Sequence, residues 1–369
     1  MLYHLSTYLY HTVAALSFLR LFGYLSFRAI GAALTAFAVT VLFGERMIHF
    51  LYLKRIRDVP REYVTMSAAD KSGTPTMGGL LIIFAVVTSM ALWCDLLSRF
   101  AQIVFFAFAW FTVLGGMDDY LKLKHAHSDR GLSQATKFFC QVAFGLILGA
   151  VFLMPGVSPV APTIASKLYL PFIKAPILDL GWWYLPFIAF VVVAIANSVN
   201  FADGLDGLAI VPVSFTIAVY GVFAYVIGNT IYSSYLQFFY LSGSGELTVI
   251  CAAIFGASLG FLWYNAYPAQ VFMGDVGSLT LGGIIGTLAV LLKQEFLFLI
   301  VGGVFVIEAF SVLIQEKIGV NWLGRRMFYR APIHQTFQHR GLAETKVVVR
   351  FWIIAGILAL IGLSTLKIR

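Results

Sequence analysis

Long apolar runs separated by short polar breaks organise this chain from end to end. The hydrocarbon core of a bilayer takes about 20 apolar residues as a helix, and ten runs approach that length. They lie at about 24–45, 77–95, 99–116, 135–154, 184–199, 208–228, 247–264, 278–293, 296–316 and 347–366. Only KQE (293–295) separates the eighth run from the ninth, which predicts a tight hairpin. The pattern predicts an all-α polytopic integral membrane protein with about ten transmembrane helices and one transmembrane domain over 1–369.

Composition agrees. Sixty per cent of the residues are hydrophobic and 11% charged, against roughly 25% charged in a soluble domain. The net charge of +8 raises the question of nucleic acid, but the basic residues border apolar runs. Cytoplasmic positive bias and anionic headgroups account for them, so membrane lipids are expected partners and nucleic acid is not. Cys94, Cys140 and Cys251 are scattered in or beside apolar runs, implying neither a disulfide framework nor a zinc site. The first twenty residues lack the basic start of a cleavable signal peptide, so the N-terminus is expected to be retained.

Charge also orients the spans. An even number puts both termini on one side. The loops 46–76, 117–134, 200–207, 265–277 and 317–346, with Arg46 at their boundary, hold 15 Lys and Arg, and the opposite set with the termini holds 7. The basic set is therefore expected in the cytoplasm and both termini in the periplasm. The longest opposite loop, 155–183, contains five of the eleven prolines and reads as extended or hairpin-like.

The basic loops also gather the acids. GGMDDY (115–120) puts Asp118 and Asp119 at the end of the third span. Adjacent carboxylates repel at a membrane surface and suit a hard cation such as Mg²⁺, although a solvated loop end is the plainer alternative. NSVNFADGLDGLA (197–209) carries Asp203 and Asp206, which read either as a ligand site or as turn formers capping a helix. VFMGDVGSL (271–279) adds Asp275 between two glycines, and KSGTPTMGG (71–79) is a similar small turn. Spans two, six and eight all start on this face, so their unpaired N–H groups are candidate phosphate sites, with Lys71 and Lys122 nearby. His334 in RAPIHQTFQHRG (330–341) reads as a neutral hydrogen-bonding group or a catalyst. Glu308, midway along the ninth span, is either functional or a protonated interhelical contact. Arg28 is expected to snorkel outward.

Five segments, KSGTPTMGG, MDDY, NFADGLDGLA, YNAYPAQVFMGDVGSL and RAPIH, resemble in order and spacing the bacterial phospho-N-acetylmuramoyl-pentapeptide-transferase family. That family lies within the polyprenyl-phosphate N-acetylhexosamine-1-phosphate transferase superfamily, and the likeness covers most of the chain. It implies transfer of phospho-MurNAc-pentapeptide from UDP-MurNAc-pentapeptide to undecaprenyl phosphate, giving lipid I and UMP, with Mg²⁺ as cofactor. It further implies a homodimer in the bacterial inner membrane. The implied catalytic residues are Asp118, Asp119, Asp275 and His334, with Asp275, Asp118 and Asp119 around the metal. Lys71, Thr76, Lys122, Lys137, Asn200, Asp203, Asp206, Asn265 and Phe272 would bind substrate. Two departures stand out. Gln335 and Thr336 follow His334 where the family commonly has histidines, and Ala202 stands where the usual motif has a hydroxyl.

The attacking lipid phosphate is mostly dianionic at neutral pH. Neutralising phosphate–phosphate repulsion is therefore a larger need than a strong base, which favours direct attack, with an aspartyl-phosphate route as the rival. Two other functions compete. A UDP-GlcNAc-using relative is opposed by KSGTPTMGG and RAPIH. A transporter is opposed by acids gathered at one face rather than at the midplane.

Overall fold

The computed structural model describes residues 2–12, 14–54, 56, 73–125 and 131–368, which are mostly helical. The chain opens with α1 (Leu2–Thr12), a 3-10 stretch (Ala14–Gly23), α2 (Leu25–Leu53), α3 (Gly79–Trp93), α4 (Arg99–His125) and α5 (Gln134–Leu153). A loop region follows with α6 (Pro162–Ala165), β1 (Lys167–Leu168) and β2 (Leu178–Asp179). Next come α7 (Tyr184–Ala202), α8 (Ile210–Ile227), α9 (Thr230–Tyr235), α10 (Gly245–Asn265) and α11 (Gly274–Leu291). The chain closes with α12 (Phe298–Val301), α13 (Gly303–Leu313), a π-helical segment (Ile314–Trp322), α14 (Ile333–His339) and α15 (Glu344–Ser364).

Among the described residues eight helices, α2, α4, α5, α7, α8, α10, α11 and α15, are long and apolar enough to cross a membrane. The chain is a multi-pass membrane protein. The second expected span is the apolar helix α3, only 15 residues long. The ninth, 296–316, is divided among α12, α13 and the π-helical segment, with Gly302 between the first two.

Helix α4 runs nine residues past the expected end of its span at 116, to His125. A run-based reading stops a helix at its first charges. Here the helix continues because Asp118 meets Lys122 at i+4, a pairing that favours helix.

Helix α11 is the centre of the molecule, and residues 276–291 are all buried. It packs against α3, α4 and α7. Small residues allow the approach, as in other membrane helix contacts. A Cβ on Gly79 would lie 2.2 Å from Gly277 Cα, and one on Gly115 would lie 2.4 Å from the Asp275 carbonyl. On the other flank α10 packs against α2 and α8, where a Cβ on Gly256 would strike the Ala33 carbonyl at 2.0 Å.

The proline-rich loop forms a small antiparallel hairpin, with Lys167 opposite Asp179 and Leu168 opposite Leu178. The Ser166 hydroxyl (2.5 Å) and the Gly181 N–H (3.0 Å) donate to Asp179, holding its carboxyl below the usual range. The KQE turn beneath it is buried rather than solvated. Lys293 Nζ donates to the Ala165 carbonyl (2.9 Å) and sits 3.6 Å from the centre of the Tyr184 ring, while Tyr184 donates to Glu295. At about 1.5 Å per residue, α11 separates this hairpin end from its Asp275 end by about 27 Å.

Arg28 does not snorkel outward. It is buried, with its two terminal nitrogens 2.6 and 3.0 Å from the two oxygens of Glu246 on α10. A planar guanidinium matched by a carboxylate is better satisfied inside than at the interface.

Candidate active site

Four helices deliver one cluster at the Asp275 end of α11. Neighbouring helical residues point about 100° apart, so Asp118 and Asp119 face different partners. Asp119 turns to the start of α11, where its two oxygens accept the N–H groups of Asp275 (3.1 Å) and Val276 (2.9 Å). A side chain of α4 thus caps α11. Gly274 precedes that cap at φ +74°, and a Cβ there would lie 2.6 Å from Asp119 Oδ2. Only glycine suits both the conformation and the space.

Asp118, fully buried, faces α5. Its Oδ1 accepts the Leu132 N–H at 2.7 Å, and its Oδ2 lies 2.7 Å from both Lys122 Nζ and Lys137 Nζ. The same ammonium groups stand 3.0 and 2.9 Å from Asp275 Oδ2. Each lysine therefore bridges Asp118 and Asp275. Three carboxyl groups and two lysine amines therefore meet with little solvent to screen them.

Helix α7 supplies the remaining support. Asn200 Nδ2 donates to Asp275 Oδ1 (3.0 Å) and to Ser278 Oγ (2.8 Å). One turn earlier, Asn197 Nδ2 donates to Gln141 Oε1 on α5 (2.6 Å). Gln141 is one turn beyond Lys137, so this bond sets α5 against α7 with Lys137 and Asn200 both reaching Asp275. Ser278 completes the arrangement by donating to the Gly274 carbonyl (3.0 Å). Sequence reasoning missed Ser278, although its i+3 spacing from Asp275 puts it on the same helical face.

Other expected site residues have different surroundings. Asp206 is buried, and its Oδ2 accepts the Ala269 N–H at 3.0 Å. Asn265 accepts the Gly207 N–H (3.1 Å) and donates to the Val271 carbonyl (2.9 Å). Both tie the 203–209 turn to the 266–273 loop. Asp203 closes α7 and is partly exposed. Phe272 is half-buried; its N–H donates to the Pro75 carbonyl and its carbonyl accepts the Gly78 N–H, both at 2.8 Å. Thr76 flanks Gly274, with Oγ1 3.2 Å from that residue's notional Cβ. Lys71 lies outside the described residues. His334 is fully buried, with Nδ1 3.2 Å from Glu308 Oε2.

The expected phosphate sites at helix starts are engaged by the protein itself. Asp119 takes the first amides of α11. At the start of α3, the Gly78 and Gly79 amides donate to the Phe272 and Met273 carbonyls, both at 2.8 Å. Before α8, Asp206 N–H donates to Glu344 Oε1 (3.1 Å), and Gly207 N–H is taken by Asn265. A buried amide seeks the nearest acceptor, and the close packing brings protein acceptors there. Among the described residues, positive charge beside the carboxylates comes instead from Lys122 and Lys137.

Among the described residues, one group of acids is arranged to hold a metal. Asp118, Asp119 and Asp275 each offer an oxygen, all within 4.8 Å of one another. Hard oxygens from carboxylates suit Mg²⁺. The convergence of Asp118 Oδ2 and Asp275 Oδ2 on shared cations shows that this spot draws positive charge.

Residues 101–293 match the model of glycosyl transferase family 4, and residues 71–83 match phospho-N-acetylmuramoyl-pentapeptide-transferase signature 1. The chain is similar over its whole length to curated bacterial proteins bearing that transferase name. It is 47% identical to the one from Desulfosudis oleivorans, covering 100% of each. Identity is also 47% with the Geobacter sp. protein and 46% with that of Pelobacter propionicus, again covering 100% of each.

Proposed function

The chain belongs to the phospho-N-acetylmuramoyl-pentapeptide-transferase family of peptidoglycan biosynthesis, and from that premise we propose its reaction in full. It transfers phospho-MurNAc-pentapeptide from UDP-MurNAc-pentapeptide to undecaprenyl phosphate, yielding lipid I and UMP. The protein works in the bacterial inner membrane as a ten-span homodimer with periplasmic termini and cytoplasmic chemistry. The observation that carries this reading is the double bridge from Asp118 to Asp275 through Lys122 and Lys137.

An oxygen of the lipid phosphate attacks the sugar-linked phosphorus. The bond from that phosphorus to the UMP oxygen breaks, and its electron pair leaves with UMP. Asp275 and Asp118, with Asp119 behind them, would hold Mg²⁺, which when bound supplies positive charge against the crowded phosphate oxygens. Lys122 and Lys137 exchange their carboxylate partners for phosphate oxygens and so steady both substrates. Asn200 holds Asp275 in orientation, and Thr76, Asp203 and Phe272, with Lys71, contact the nucleotide-sugar. Asp206 and Asn265 shape that pocket by fixing the turn and loop around it. Direct attack is favoured over an aspartyl-phosphate, because both oxygens of Asp119 are committed to α11 amides and Asp118 is fully buried between two ammonium groups.

Purified protein in detergent tests the reading. UMP should appear with UDP-MurNAc-pentapeptide, undecaprenyl phosphate and Mg²⁺ together, and stop when any one is omitted. Turnover with UDP-GlcNAc in place of that donor would contradict the assigned substrate.

A further inference from the structure

Glu308 and His334 form a closed pair inside the protein. Glu308 sits in α13 and His334 in α14, both with no exposed surface, and the ring Nδ1 lies 3.2 Å from the carboxyl Oε2. Apart from that contact, neither the carboxylate oxygens nor the ring nitrogens have a hydrogen-bonding partner among the described residues. A buried carboxyl group whose one polar neighbour is an imidazole is expensive, and an apolar pair of similar volume would generally be at least as stable. What this pair adds is a fixed ring orientation.

The far edge of that ring meets the turn between α7 and α8. A Cβ on Gly204 would lie 2.4 Å from His334 Nε2 and 2.7 Å from its Cε1. The same C-terminal segment grips the turn twice more. Glu344 accepts the Asp206 N–H (3.1 Å), and Trp352 Nε1 donates to the Gly207 carbonyl (3.0 Å). The turn continues directly from Asn200, which holds Asp275 at 3.0 Å. Pressure on Gly204 is therefore pressure on Asp203, the partly exposed acid between these two points.

We infer that Glu308 is a positioning residue, which acts through the His334 ring on Gly204 to set the 203–207 turn for the nucleotide-sugar donor. This deepens the reading proposed above and rests on it. Neither Glu308 nor His334 need touch the reacting atoms, which explains how a histidine with no exposed surface can matter to the site.

Steady-state UMP release and hydrogen exchange test the inference together. Glu308→Leu removes the ring's partner and should raise KM for UDP-MurNAc-pentapeptide about tenfold with kcat nearly unchanged, the pattern of lost ground-state binding. Glu308→Gln, which keeps a hydrogen-bonding group, should restore most of the affinity. Gly204→Ala presses on the same ring from the opposite side and should reproduce the KM effect even if Glu308→Leu does not fold. Amide exchange in residues 203–208 should rise in Glu308→Leu and Gly204→Ala, while that of 115–119 stays as in the wild type. A KM unchanged in Gly204→Ala, or exchange unchanged at 203–208, would overturn the positioning role. A wild-type protein that releases no UMP from this donor would instead defeat the proposed substrate, leaving the exchange measurement to decide the role of Glu308.

Discussion

Two neighbouring aspartates show how much one residue's direction decides. Asp118 and Asp119 are adjacent, yet one binds lysines and the other caps a helix. Losing a capping carboxylate costs about 0.5–2 kcal/mol. Asp119→Ala should therefore lower thermal stability by roughly that amount as well as activity. Asp275→Asn, which leaves both caps intact, should spare stability in the same detergent melt. That these acids gather was legible in the sequence, since paired acids beside lysines and a third acid between glycines suit one shared cation. The partners were not. Ser278 could have been found from its helical spacing. Nothing in the sequence joins Glu344 to Asp206, or Glu308 to His334, because those contacts form between helices distant along the chain.

At the scale of elements, apolar runs located the helices well and their ends poorly. Hydropathy marks where lipid stops; backbone hydrogen bonding and i,i+4 pairs decide where a helix stops. The difference matters on α4, whose last turns carry Asp118, Asp119 and Lys122. The same gap affected the helix starts, which carry unpaired amides in sequence but not after packing. Close packing also makes a sharp prediction. A Cβ on Gly79 would meet the Gly277 backbone at 2.2 and 2.4 Å, and backbone cannot step aside. Gly79→Ala should cost about 1–3 kcal/mol, as overpacking does, and lower activity by displacing the start of α11. Gly116→Ala is the control: the nearest neighbour of its new methyl would be a Val276 methyl at an ordinary 3.8 Å. Thermal melting of both variants checks the contrast.

Across the whole molecule, α11 acts as a buried axle with different chemistry at its two ends. One end gathers Asp118, Asp119, Lys122, Lys137 and Asn200 around Asp275. The other locks Lys293 and Glu295 beneath the 155–183 hairpin. Alternation of apolar runs with charged loops was enough to bring Asp118, Asp119 and Asp275 to one end of their helices. It could not separate those that converge from Asp206, which serves the backbone instead. Binding of Mn²⁺, a spin-active stand-in for Mg²⁺, measured by electron paramagnetic resonance on the purified protein, tests that convergence most directly. A single site should be present in the wild type, persist in Asp206→Asn and vanish in Asp275→Asn. Mn²⁺ that binds equally well without the Asp275 carboxylate would contradict it.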